Sequence, residues 1–229
     1  MPDLINLYEY EAAAERNLTR EEWDYVAGGA TDEITLRRTR AAYDSIALRP
    51  RVLAGIGRAD LSTSVLGMRL PVPFMLSPCG GHKRAHPDGE LASARAAAEF
   101  GTVLGISANS SYPLEEIARA ADGPRWFQTY FYRDRERTAD MVKRGEESGY
   151  DAICVTLDSA WPSKRERNIR NTYKAGDRPN LSDADKAKLT NQTKFDAGLT
   201  SRSLVDPGRR GKTSHGCGHE HNYQSCSKA

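Results

Sequence analysis

Between residues 72 and 157 the chain alternates short apolar runs with amphipathic stretches. That rhythm restricts the fold more than any other feature of its 229 residues. The apolar runs are 72–77 (VPFMLS), 102–107, 126–131 and 151–157 (DAICVTL), each short enough for a buried parallel strand. Between them lie 89–100 (GELASARAAAEF), 113–121 and 135–148, which read as helices. Alternation of this kind builds right-handed βαβ units, so the pattern predicts an α/β fold with a parallel sheet, either doubly wound or closed as a barrel.

The flanks behave differently. Residues 1–71 read as a helical segment. Asn6 and Glu9 form a capping-box-like pair ahead of a helix over 8–16, and Thr19 and Glu22 repeat it ahead of 23–27. Gly28-Gly29 stops that second helix, and a third, capped by Thr31 or Asp32, runs to about Tyr43. Pro50, Gly55, Gly57 and Gly67 then punctuate short extended pieces. After Asp158 the rhythm ends. Residues 160–200 are rich in Lys, Arg, Asp and Asn, with at most one weak helix near 182–189. Residues 209–229 hold no Leu, Ile, Val, Met, Phe or Trp, too little apolar surface to offset their ordering entropy, so a disordered tail is expected. The expected segments are therefore 1–71, 72–175 and 176–229.

Charge narrows the function classes. With 33 basic and 31 acidic residues the net charge is +2, which implies neither a nucleic-acid nor a membrane partner. No apolar run reaches the length of about 18 residues that a membrane helix needs, and no basic-then-apolar leader opens the chain, so a soluble cytoplasmic protein is expected. Cys79 and Cys154 fall in strand-like runs and read as reduced structural cysteines rather than a disulfide framework.

In parallel α/β folds function collects at the carboxyl ends of strands. There the chain places Pro78-Cys79-Gly80-Gly81, Ser107, Gln128 with Tyr130, and Thr156 with Asp158. Gly80-Gly81 also suits a plain loop turn, and Ser107 also suits a helix cap. Gln128 and Thr156 are harder to dismiss. They interrupt apolar runs, and buried amides and hydroxyls need partners, so a ligand site is expected at these strand ends.

The motifs WDYVAGGATDE (23–33), ALRPRVL (47–53), LSPCGGHKRAHPDGE (76–90), WFQTYFYRDR (126–135) and VTLDSAWPSKRERNIRN (155–171) occur in one order. In that order the chain closely resembles the FMN-dependent 2-hydroxy-acid oxidases and dehydrogenases, the glycolate and lactate oxidase group. The resemblance runs from about Asn6 to Asn171. It implies a helical segment followed by the first half of a TIM (β/α)8 barrel, FMN as cofactor, and oxidation of a small (S)-2-hydroxy acid by hydride transfer to flavin N5. It implies a homo-oligomer for the full-length family, though not for this fragment. Residue by residue, it implies that Pro78, Cys79, Gly80 and Ser107 lie against the flavin and that Gln128 and Thr156 bond its polar edge. Tyr25, Tyr130 and Arg165 would hold substrate. Tyr130 and Asp158 would be catalytic, the latter stabilising a catalytic imidazolium. The family has Pro-Thr-Ala where Pro78-Cys79-Gly80 stands, and Pro-Arg-Leu where Ala160-Trp161-Pro162 stands, so substrate preference is left open.

The family's base histidine, its carboxylate-clamping arginine and its flavin-stabilising lysine belong to the second half of the barrel. None of His82, His86, His215, His219 or His221 lies in a matching motif. Suitable codons for residues 209–229, read two nucleotides out of frame, give TWEDISWLRSRAQLPVVLKG, which has the look of the family's next helix and lysine strand. A reading-frame change near residue 208, and an inactive chain, are therefore expected. The alternative is a non-catalytic metal- or partner-binding barrel remnant, with His215, Cys217, His219, His221 and Cys226 as ligands. Gly211-Lys212-Thr213 lacks the glycine and the preceding strand of a phosphate loop.

Overall fold

Side-chain caps start the first two helices where the sequence places them. In the computed structural model, Asn6 Oδ1 accepts from the Glu9 N–H at 3.0 Å and the Asn6 amide donates to Glu9 Oε1 at 2.7 Å, opening α1 (Leu7–Asn17). Thr19 caps α2 (Arg20–Ala27) in the same way. The third helix, α3 (Ile34–Asp44), corrects the expectation: neither Thr31 nor Asp32 caps it. Glu33 occupies the cap position in left-handed backbone at φ 56°. Its carboxylate is taken by the Gly29 N–H at 3.0 Å and by Arg167 at 2.6 Å, so it caps nothing.

The structure describes residues 4–55, 57–132, 134–158, 163–174, 176 and 178–181, and the backbone of 225–228. The chain divides into two units, residues 1–60 with 163–175, and residues 61–162 with 176–229. In the first unit a short helix, α7 (Glu166–Arg170), which the sequence reading did not anticipate, packs on α2. Asp24, 4% exposed, ties them: it accepts from Arg20 Nε and from Asn171 Nδ2, each at 3.0 Å.

The second unit opens with an antiparallel hairpin, β1 (Thr63–Val65) and β2 (Met68–Leu70). Leu66 and Gly67 make its turn at φ 48° and 80°, the left-handed pair that a two-residue hairpin turn requires. Four parallel strands follow: β3 (Leu76–Cys79), β4 (Leu104–Ser107), β5 (Arg125–Tyr130) and β6 (Ala152–Thr156). Their crossovers are α4 (Gly89–Phe100), α5 (Leu114–Ala120) and α6 (Arg135–Glu147). The strands lie in sequence order, β3-β4-β5-β6, and each helix packs on the next. A doubly wound sheet reverses its order at a switch point; this one does not, which selects the barrel. The helix-facing core holds Leu104, Ile106, Leu114, Ile117, Phe127, Met141 and Ile153, all at most 3% exposed. Burying a side chain such as Phe127 contributes on the order of 2–3 kcal/mol. The other face encloses a concavity of about 390 Å³ lined by Val65, Leu70, Phe74, Trp126, Gln128 and Thr156 among others.

Two strand expectations change. The first parallel strand begins at Leu76, not Val72, because Pro71 and Pro73 have no N–H for a ladder and the Phe74 carbonyl accepts from Thr102 Oγ1 at 2.6 Å. Cys79 is a free cysteine, exposed at the end of this strand. In addition, Ser225–Lys228, within the stretch expected to be structureless, pairs antiparallel with β6 as β7, Cys154 opposite Cys226. An open strand edge offers unpaired N–H and C=O groups, and backbone pairing needs no apolar side chains. The helix expected near 182–189 and the tail histidines lie outside the described residues.

Candidate functional site

The polar residues at the strand ends form a directed hydrogen-bonded row. Parallel register sets Ser107 of β4 opposite Gln128 of β5, and Tyr130 opposite Thr156 of β6. The Asn109 N–H donates to Ser107 Oγ at 3.1 Å, and Ser107 donates to Gln128 Oε1 at 3.1 Å. Gln128 Nε2 donates to Thr156 Oγ1 at 2.8 Å and to the Thr129 carbonyl at 3.0 Å. Ser107 and Gln128 are 3% and 5% exposed. A buried amide is costly without partners, and here the bonding fixes which end of the Gln128 amide points to which strand. None of the three groups titrates near neutrality, so the row suits binding rather than proton transfer.

Beside this row, β3 ends in Pro78-Cys79 and turns through Gly80 and Gly81. A Cβ on Gly80 would lie 2.8 Å from the Asn109 carbonyl oxygen and 2.9 Å from Asn109 Cβ, so the glycine permits a close approach of two strand-end loops. Tyr130 is half-buried, its ring edge-on to Tyr132 at 6.1 Å. Asp158, two residues past Thr156, is exposed.

Tyr25 and Arg165 meet in the other unit. Arg165 Nη1 donates to the Tyr25 carbonyl at 2.7 Å, and its guanidinium lies 5.0 Å from the Tyr25 ring centroid. Tyr173 stacks on the same ring at 4.6 Å. The structure therefore groups Ser107, Gln128 and Thr156 in one unit, and Tyr25 with Arg165 in the other.

Two residues that the sequence reading passed over help shape the first group. Glu90, 1% exposed, accepts from backbone N–H groups of both neighbouring loops. Asn180, 6% exposed, caps α5 from a distance: its Oδ1 accepts from the Leu114 N–H at 3.1 Å, where Pro113 can provide no side-chain cap. A charge on the inner face of an Ala-rich helix was a readable signal for Glu90. Asn180 carried none. No group of three or more His, Cys, Asp or Glu among the described residues could hold a metal, and no helix among them is long and apolar enough to cross a membrane.

A family model described as FMN-dependent dehydrogenase matches residues 14–224. That match continues past residue 208, so it does not separate off the tail where a reading-frame change was expected. The chain is 38% identical over 206 residues to a peroxisomal (S)-2-hydroxy-acid oxidase of Oryza sativa subsp. japonica, covering 89% of this chain and 56% of that protein. It is 37% identical over 212 residues to glycolate oxidase 1 of Zea mays, covering 89% and 58%. Among solved structures, a mandelate oxidase with 3,3-difluoro-2-hydroxy-3-phenylpropionic acid superimposes with a TM-score of 0.73 at 36% identity, over 76% of this chain and 52% of that one. The flavin-binding domain of baker's yeast flavocytochrome b2 gives 0.76 at 31% identity, over 88% and 50%. The chain thus spans just over half the length of the curated relatives it matches.

Proposed function

Because the chain belongs to the FMN-dependent dehydrogenase family, we propose that it supplies the first four βα units of a barrel that oxidises a small (S)-2-hydroxy acid to the 2-oxo acid. The observation that carries this reading is the oriented row Ser107–Gln128–Thr156. A flavin ring carries acceptors and a donor along one edge. Gln128 and Thr156, already fixed in direction by their neighbours, fit such an edge, and Gly80 lets the two strand-end loops beside them approach closely. When bound, FMN supplies the acceptor for two electrons from the substrate's α-carbon. The chain's own residues bind and orient. Pro78, Cys79, Gly80 and Ser107 take the flavin, and Tyr130 holds substrate by its hydroxyl. Asp158 holds a cationic base in place. Tyr25 and Arg165, adjacent within their unit, take the substrate carboxylate, for which a guanidinium offers a planar fork.

Turnover is proposed for the whole protein rather than for these 229 residues, which on this reading have weak or no activity by themselves. The test is a chimera joining residues 1–208 to the matching second half of maize glycolate oxidase. It should purify yellow and oxidise glycolate. Gln128→Leu in that chimera should lower FMN affinity about ten-fold or more, the worth of one or two buried hydrogen bonds. Tyr130→Phe and Arg165→Met should instead raise KM at unchanged FMN content. Full FMN occupancy with an unaltered flavin spectrum in Gln128→Leu would refute the assignment.

A further inference from the structure

We propose that Glu90 is a positioning residue, a buried carboxylate that clamps the loop after β3 to the loop after β4. It thereby sets the spacing between the two backbone edges that face the flavin; this consequence rests on the reading above, whereas the clamp itself does not. Glu90 is the second residue of α4 and is 1% exposed. Its Oε1 accepts three backbone N–H bonds, from Gly81 at 3.1 Å, His82 at 3.1 Å and Ser111 at 2.9 Å. The first two donors lie just past β3 and the third just past β4. Oε2 is buried too and has no hydrogen-bond partner.

Packing alone does not explain this side chain. The other buried positions of α4, Gly89, Ala94 and Ala97, are small and carry no polar side chain. A carboxylate without donors would be strongly disfavoured there, so its presence is accounted for by the three N–H groups that converge on it. Two further contacts hold the same loops together. Gly80 abuts Asn109 so closely that no Cβ fits, and the Lys83 N–H donates to Ser111 Oγ at 3.3 Å. Gly81, at φ 79°, takes the left-handed turn that carries the chain from β3 toward the carboxylate. Four separate features therefore act on one gap, which the Lys83 ammonium also crosses, 3.6 Å from the Tyr112 ring centroid; of these, Glu90 alone gathers three backbone N–H groups.

The test is residue-resolved amide exchange on the full 229-residue chain, wild type against Glu90→Gln. The amide keeps the shape of the side chain and removes its charge, and charge-assisted bonds are roughly twice as strong as neutral ones. Exchange at Gly81, His82 and Ser111 should accelerate about ten-fold or more, while Phe127 and Ile153 in the sheet keep their wild-type rates. If Glu90→Gln does not fold, Glu90→Asp keeps the charge on a shorter arm and should show the same three amides as the ones most accelerated. Unchanged rates at all three would overturn the clamp. So would a uniform acceleration that includes Phe127 and Ile153, since Glu90 would then support the core in general. Neither result depends on flavin, so the clamp and the flavin assignment fail separately.

Discussion

Replacing Gly105 by alanine measures how closely β3 is fitted to β4. Gly105 lies in fully buried β4, and a Cβ there would stand 2.8 Å from both N and Cδ of Pro78 and 3.0 Å from the Leu76 carbonyl oxygen. Those are backbone and ring atoms of the neighbouring strand, so no flexible side chain can yield. To reach carbon contact distances of about 3.5 Å the strands must part by roughly 0.7 Å. Overpacking of this kind costs about 1–3 kcal/mol, and the upper end applies because the obstacle is backbone. Alanine also restricts the unfolded chain, which offsets up to about 1 kcal/mol. The net loss is about 2 kcal/mol, a fall of roughly 1 M in the urea midpoint at an m near 2 kcal/mol/M. Urea unfolding followed by circular dichroism and tryptophan fluorescence provides the assay. A midpoint within about 0.25 M of wild type, with m unchanged, would show that β3 has slack and that the argument from contact distances is wrong.

Asn180→Ala should destabilise by about 2–3 kcal/mol, because it strips partners from the Leu114 N–H, Arg144, Ser110 and the Tyr112 carbonyl. Its signature is faster exchange at Leu114, and a wild-type rate there would contradict the distant cap. The hydrogen bond from Arg144 holds the Glu115 carboxyl below the usual glutamate value of 4.5. Its contribution is complete above that value and fades as pH falls through the lower folded-state value. Glu115→Gln should thus lower stability at neutral pH and flatten the acid limb below pH 4.5, and an acid limb as steep as wild type's would count against the pair.

Much of the second unit was legible because its side chains alternate. In β5, Phe127 and Thr129 are fully buried against the helices while Gln128 and Tyr130 point to the other face, and a polar residue inside an apolar run marks that face from sequence alone. The β3 start was misplaced because VPFMLS looks equally apolar throughout, and only the missing proline N–H decides where pairing begins. Helix α7, five residues of ERNIR, has no apolar periodicity; it is held by Asp24 and Glu33. In the sequence Glu90 stands out only as a charge in an Ala-rich helix, and Asn180 not at all. Their partners lie up to 21 and 70 residues away, so what they do becomes visible only when the chain has folded.

The first unit is assembled from both ends of a long detour. Arg165 reaches the Tyr25 carbonyl across 140 residues of sequence, and Asn171 reaches Asp24 across 147. During synthesis at about 5–20 residues per second, α2 therefore leaves the ribosome roughly 7–30 s before its partners exist. For that interval Asp24 has only Arg20, four residues before it, to neutralise it. The βα units between have time to fold first, so the order of synthesis places completion of the N-terminal unit after that of the four parallel strands that interrupt it.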